Sequence, residues 1–190
     1  MSRQLQVLYD EHQSIAAVLD AFAHLLRESD RGKPVDPRVF RQILYYLDVV
    51  PERYHHPKED QFLFASLRSR TREADGLIAT LEQQHVMSVQ SMRNLEQLMA
   101  RWDAGGDSER AAFVGAARVF IERYIEHMRL EEEELMPLAE RCLTPEDWAL
   151  SEAEFARHHD PIQGAADSSE LLRRILYLAP APIGLGDPIE

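Results

Sequence analysis

The sequence predicts an all-α protein, an up-down-up-down four-helix bundle with a short C-terminal helical extension. Three observations predict it. Four long segments carry apolar residues at alternating spacings of three and four, the seam of a bundle helix. The ten prolines and eight glycines are few and cluster in short stretches, which leaves long segments free to be helical. The two halves of the chain also repeat each other, with His12 to His85 separated by 73 residues and His55 to His127 by 72.

The first segment, 4–28, sets Leu5, Leu8, His12, Ile15, Leu19, Phe22 and Leu26 on one seam, with His12 in a slot suited to leucine. The second begins at Asp36-Pro37, a helix cap followed by proline at the first position, and ends near Arg70. Pro51 and Pro57 each remove a backbone donor within it and predict a kink or bulge beside His55. The third segment, 72–102, repeats the seam through Ile78, Leu81, His85, Ser88, Met92, Leu95 and Met99. Asp103-Ala-Gly-Gly-Asp-Ser reads as a loop. The fourth segment, 108–141, presents Phe113, Ala117, Phe120, Tyr124, His127, Glu131 and Leu135 on one face.

These segments make residues 1–142 the bundle and residues 143–190 an extension and tail. Thr144-Pro145 opens one short helix and a second falls near 166–178. The remainder is expected to be a poorly ordered or partner-bound tail.

The composition excludes several function classes. Against 21 basic residues stand 33 acidic ones, a net charge of −12, which disfavours nucleic acid and anionic membranes as partners. The lone Cys142 excludes an internal disulfide and any multi-cysteine metal site. The N-terminus lacks the apolar core of a signal peptide and no run approaches a membrane span, so a cytoplasmic location is expected.

The chemistry lies in two matched stretches, RYHHPKEDQFLF and YIEHMRLEEEELM. Each holds His-x-x-x-Glu (His55 and Glu59, His127 and Glu131), then a second acid (Asp60, Glu132). Residues four apart on a helix differ by about 40° in azimuth and about 6 Å in rise, so His and Glu can converge on one ion. A single seam histidine is usually a hydrogen-bonded core residue, and a single His-x-x-x-Glu a helix-surface pair. The duplication favours a site made of His12, His55, Glu59, His85, His127 and Glu131. Burying each polar group costs several kcal/mol unless it is partnered, and a pair of metal ions partners all six. Imidazole and carboxylate suit iron, manganese or zinc.

His56 is read as facing away from the ion, an outer contact or surface residue, with Asp60 and Glu132 as outer acceptors or solvated charge. Tyr54 and Tyr124 are read as packing residues beside ligand histidines, and Met87, Met92 and Met99 as core. His24, His158 and His159 have no spaced partner. A ferritin-like site is the structural rival, since Glu52-x-x-His55 and Glu82-x-x-His85 match its string. These strings fall on consecutive helices, and histidines occupy the positions where that site needs lone glutamates.

With these residues in place, the chain resembles the hemerythrin-like HHE cation-binding family over about residues 1–140. That pattern is a histidine on the first helix, His-x-x-x-Glu on the second, a histidine on the third and His-x-x-x-Glu/Asp on the fourth. The resemblance implies two non-haem iron ions bridged by Glu59 and Glu131, with an oxo, hydroxo or water bridge. Oxygen-carrying members have a further histidine where this chain has Val89, and a longer spacing on the last helix. The six-residue set is closer to the iron–sulfur repair and iron-sensing types, although the cysteine-containing N-terminal domain usual in the repair proteins is missing. The expected function is to bind or sense a small ligand (oxygen, nitric oxide or peroxide) at open metal positions, or to handle iron. The alternative is a di-iron oxidoreductase with an electron donor, either peroxide-consuming, ferroxidase-like or serving nitrosative or oxidative damage.

Overall fold

Six helices make up the described part of the computed structural model, which covers residues 2–157, 168–181 and 183–186. They are α1 (Arg3–Asp30), α2 (37–70), α3 (Asp75–Gly105), α4 (107–142), α5 (Pro145–Arg157) and α6 (Ser168–Leu178). Local chemistry sets their ends. Ser2 accepts from the Leu5 N–H to start α1, and Asp36 accepts from Arg38 N–H ahead of Pro37. At α5 the capping is reciprocal: Thr144 N–H donates to Asp147, and Asp147 N–H to the Thr144 hydroxyl.

The turn between α3 and α4 is shorter than the sequence suggests. Both helices extend into the expected loop, and Gly106 alone separates them, at φ +70°. A side chain would be strained there, which is why the glycine pair suffices as a turn.

Two apolar clusters prove the up-down-up-down order. Leu5 and Leu8 from the start of α1 meet Leu63, Phe64 and Leu67 from late α2, Ile78 and Leu81 from early α3, and Leu135 to Ala139 from late α4. The opposite ends of the same helices build the larger cluster, where Phe22, Phe40, Trp102 and Phe113 pack with ring centroids 5.5–6.1 Å apart. Tilted and edge-on aromatic contacts of this kind add to the area they bury.

His12, His55, Glu59, His85, His127 and Glu131 form a polar layer between these clusters. Along α1, His12 sits between Leu8 of one cluster and Ile15 of the other, and along α3, His85 sits between Leu81 and Met92.

α2 and α4 are continuous but not regular. Residues Asp48–His55, Glu59–Phe64 and Glu131–Leu135 are π-helical, with bonds such as His56 N–H to Pro51 O and Met136 N–H to Glu131 O. Each π segment begins or ends on a member of the polar layer. Pro51 lies inside the first, while Pro57 and Pro137 open the α-turns that follow two of them. The expected distortion beside His55 is therefore a bulge, and the helix does not break.

The C-terminal extension packs on the bundle. Leu171, Ile175 and Ala179 join the larger cluster, and Trp148 packs against the smaller one. Arg70 grips Asp147 through two bonds of 2.7 and 2.8 Å, and Gln4 donates to Trp148 O at 2.7 Å. Past α6 the chain folds back on the helix end, and a Cβ on Gly184 would lie 2.3 Å from Leu176 O. His158, His159 and much of the expected tail lie outside the described residues.

Ile175 is 3 % exposed, so Ile175→Ala is expected to cost about 2–5 kcal/mol in urea denaturation. A loss below about 0.5 kcal/mol would mean that α6 only rests on the surface.

Candidate metal centre

The polar layer is buried. All six residues are at most 5 % exposed, and Glu59 and Glu131 are fully buried. The four histidines turn their Nε2 atoms inward in two facing pairs: His12 and His55 at 3.0 Å, His85 and His127 at 3.2 Å. The carboxylates lie between the pairs. Glu59 Oε1 is 3.3 Å from His55 Nε2 and 3.7 Å from His12 Nε2, and its Oε2 is 3.5 Å from His85 Nε2. Glu131 reverses this, with Oε2 3.3 Å from His12 Nε2 and Oε1 3.3 and 3.9 Å from His127 and His85. Each carboxylate thus faces both histidine pairs, as a bridging group must.

Outside this layer every Nδ1 has a partner. His12 meets Glu132 at 2.9 Å, His55 meets Glu11 at 2.8 Å, His85 meets Asp60 at 2.9 Å and His127 meets Gln84 at 2.9 Å. These acceptors fix each ring with Nδ1 as the donor and Nε2 as the inward lone pair, the tautomer a metal ligand needs. They obey the chain repeat. The residue before each lone histidine (Glu11, Gln84) serves the histidine of the same half, and the residue after each bridging glutamate (Asp60, Glu132) serves the opposite half. Asp60 and Glu132 are therefore outer acceptors. Glu11 and Gln84 are additions, and their shared position one residue before His12 and His85 was the available signal.

Whether a metal pair fits is decided by the four carboxylate oxygens. All four oxygens of Glu59 and Glu131 are buried without a hydrogen-bond partner. Such groups cost several kcal/mol unless something positive sits among them. Cations held between paired Nε2 atoms and shared carboxylates answer that cost with the donor types present. Two groups of donor atoms within 4.8 Å of one another mark the places: His12, His55, Glu59 and Glu131, and His56, Glu59, His85 and His127.

His56 needs separate treatment. It is 3 % exposed and stacks on His85 with centroids 4.0 Å apart, so it is an inner residue and not a surface one. Both ring nitrogens are already engaged, Nδ1 by Glu52 at 3.2 Å and Nε2 by the Tyr124 hydroxyl at 2.8 Å. Burial holds its pKa down, only partly offset by Glu52. It lies beside the donor set. Tyr124 is a buried member of the larger apolar cluster and also bonds His56, whereas Tyr54 is partly buried and packs against that cluster.

The ferritin-like strings do not converge. Glu82 pairs with Arg68 at 2.5 and 2.8 Å on a half-exposed face, and Glu52 turns to His56 and Ser88. Met92 and Met99 are core, but Met87 is 39 % exposed and belongs to the wall of a cavity.

The electrostatics follow from the crowding. Burial disfavours a charged His12, yet its contacts to Glu131, Glu132 and Glu59 outweigh it and push the pKa well up. His85 is pushed up to about 10 against burial by Asp60 and Glu131. Burial takes His55 down to about 4 and His127 down to about 3. Burial and repulsion from Glu131 raise Glu59. Glu131 goes the other way, because His127, His12 and His85 overcome its burial.

Two experiments check these features. His12, His85 and Glu59 carry raised pKa values, so the metal-free centre holds protons near pH 7 and an entering cation displaces them. Zinc loading in weak buffer at pH 7 is expected to release protons, with affinity rising as pH climbs toward about 10. An affinity indifferent to pH contradicts this. Glu132→Gln is expected to weaken metal binding roughly 10–100-fold in a chelator competition.

The model of the hemerythrin HHE cation-binding domain matches residues 3–139, from the start of α1 to the last turn of α4. No curated protein and no solved structure gives a significant match. The matched span contains α1 to α3, all but the last three residues of α4 and every residue of the polar layer, and the chain belongs to the hemerythrin HHE cation-binding domain family.

Proposed function

We propose that the protein binds two non-haem iron ions and uses their open coordination positions to bind or sense a small ligand such as oxygen, nitric oxide or peroxide. The observation that carries the reading is the set of four buried carboxylate oxygens without hydrogen bonds, flanked by four inward Nε2 atoms. His12 and His55 would hold one ion, His85 and His127 the other, and Glu59 and Glu131 would bridge them. Family membership favours iron, and the donor set also accepts manganese or zinc. Four protein donors per ion leave positions for an exogenous group, which suits ligand binding better than a closed structural role.

The chain's own contribution is to orient and exclude. The Nδ1 partners lock the imidazoles, and the apolar clusters close the layer above and below. Bound iron would supply Lewis acidity and one-electron chemistry. A second reading, a peroxide-consuming or ferroxidase-like oxidoreductase, is favoured by the hydrogen-bonded Tyr124 and His56 beside the layer. It requires multiple turnovers with an electron donor, and stoichiometric reaction without turnover would count against it.

Anaerobic reconstitution with ferrous ion is expected to give about two irons per chain, with new charge-transfer absorption on adding oxygen or azide. Metal at a hundredfold excess over Kd stabilises by about 2.7 kcal/mol, which would raise Tm by roughly 5–10 °C. His85→Ala should lose at least one iron. A chain that takes up no iron, and whose melting ignores metal, sinks the proposal.

A further inference from the structure

Lys58 lies deep in the bundle. Its side chain is 1 % exposed, although lysine is almost never fully buried unless paired. Residues three apart on a helix differ by about 60° in azimuth, so Lys58 flanks His55 on α2. Its ammonium turns to α1, where it donates to Glu11 Oε1. His55 Nδ1–H donates to the other oxygen of Glu11 at 2.8 Å. One carboxylate thus joins a buried ammonium to the back of a metal-facing imidazole.

The chain repeat shows what the fold accepts instead. The counterpart of Glu11 is Gln84, which accepts from His127 Nδ1 at 2.9 Å. The counterpart of Lys58 is Leu130, which packs against the smaller apolar cluster. Acid and base stand together in one half, amide and leucine in the other. A buried ion pair adds little stability over an uncharged pair of similar volume, because desolvating two charges offsets their attraction. The second half folds with uncharged groups at the same places, so packing alone does not require the charges.

Their use lies in the ring they hold. Glu11 borders solvent, with 17 % of its side chain exposed, and a carboxylate there can exchange a ring N–H for water. With an ammonium on one oxygen, Glu11 keeps the other on His55, and a bond to a charged acceptor is stronger than one to an amide. An imidazole backed by a carboxylate is also the better ligand for a metal. Both histidines of this half then have acids behind them, Glu132 and Glu11, whereas His127 has an amide.

We propose that Lys58 is a positioning residue for the metal centre: through Glu11 it fixes His55, and it makes the His12–His55 position the tighter of the two ion sites and the first to fill. The inference rests on the di-metal reading and concerns how its two positions differ.

The test titrates the full metal-free chain with cobalt(II) in the absence of oxygen, following each step by visible absorption. A chain that takes up no cobalt overturns the di-metal reading and this inference with it. The unaltered chain is expected to take two ions in two steps, and His127→Ala to lose the weaker step; loss of the tighter one overturns the proposal. Lys58→Met keeps the length of the stem. It should weaken the tighter step about tenfold or more and shift its spectrum, with the weaker step unchanged. Glu11→Gln combined with Lys58→Leu copies the uncharged groups of the other half, and should fold and take two ions of nearly equal affinity. If Lys58→Met does not fold, this double variant decides: an undiminished gap between its steps, or failure to fold, overturns the proposal. So does equal affinity for both ions in the unaltered chain, or a Lys58→Met substitution that moves neither step or both alike. Each of these leaves the di-metal reading standing.

Discussion

Two carboxylates, Glu59 and Glu131, face each other deep inside a helical bundle with no hydrogen-bond donor on any of their four oxygens. Much of the structure follows from accommodating that arrangement. Like charges at close range in a low-dielectric interior repel strongly, so a core that keeps both glutamates must surround them with positive or proton-bearing groups. In the metal-free centre His12 and His85, whose pKa values are pushed up, are those groups. Burial and the neighbouring Glu131 charge raise Glu59, the cost of keeping two acids together in this core. Cations placed between the histidine pairs would face both carboxylates alike.

Holding such a layer taxes regular helices. A straight α-helix presents one narrow stripe to a bundle core, and here α2 and α4 must present two donors each and then return an apolar stripe to the smaller cluster. The π segments provide that adjustment, because each adds a residue to the backbone ladder next to a donor. α1 and α3 carry one donor each and have no such segment. The outer acceptors then complete the positioning, since a ring clamped at Nδ1 cannot swing its Nε2 out of the layer.

Much of this was legible in the sequence, for a physical reason: a polar residue on an apolar seam is conspicuous, and the same exception in both halves is more so. His12, His55, Glu59, His85, His127 and Glu131 could be named because burial and periodicity constrain them together. Asp60 and Glu132 were visible as a repeated second acid. His56 was misjudged in part, since azimuth on a regular helix turns it aside, while π-helical backbone on both sides of it brings the ring against His85. The α3–α4 turn looked longer than it is because composition marks a turn's presence better than its length. Met87 was read as core because helical spacing cannot distinguish a packed stripe from a cavity wall.

The duplication also explains how a symmetric ligand set can yield an unequal pair. His12 and His55 are both backed by acids, Glu132 and Glu11, and burial is overcome at Glu11 by His55 and Lys58, which take its pKa to about 2. His85 is backed by an acid, Asp60, but His127 by the neutral amide of Gln84. An acid behind an imidazole makes it the more basic ligand. An ion between His12 and His55 would therefore be the better neutralised by its protein ligands. One between His85 and His127 would keep more of its charge for a further ligand, and these two histidines line an open cavity of about 380 Å³ that His12 and His55 do not reach. Electronic demand and access coincide on one side, where Gln84, Ser88 and His56 break a repeat that the donors themselves keep.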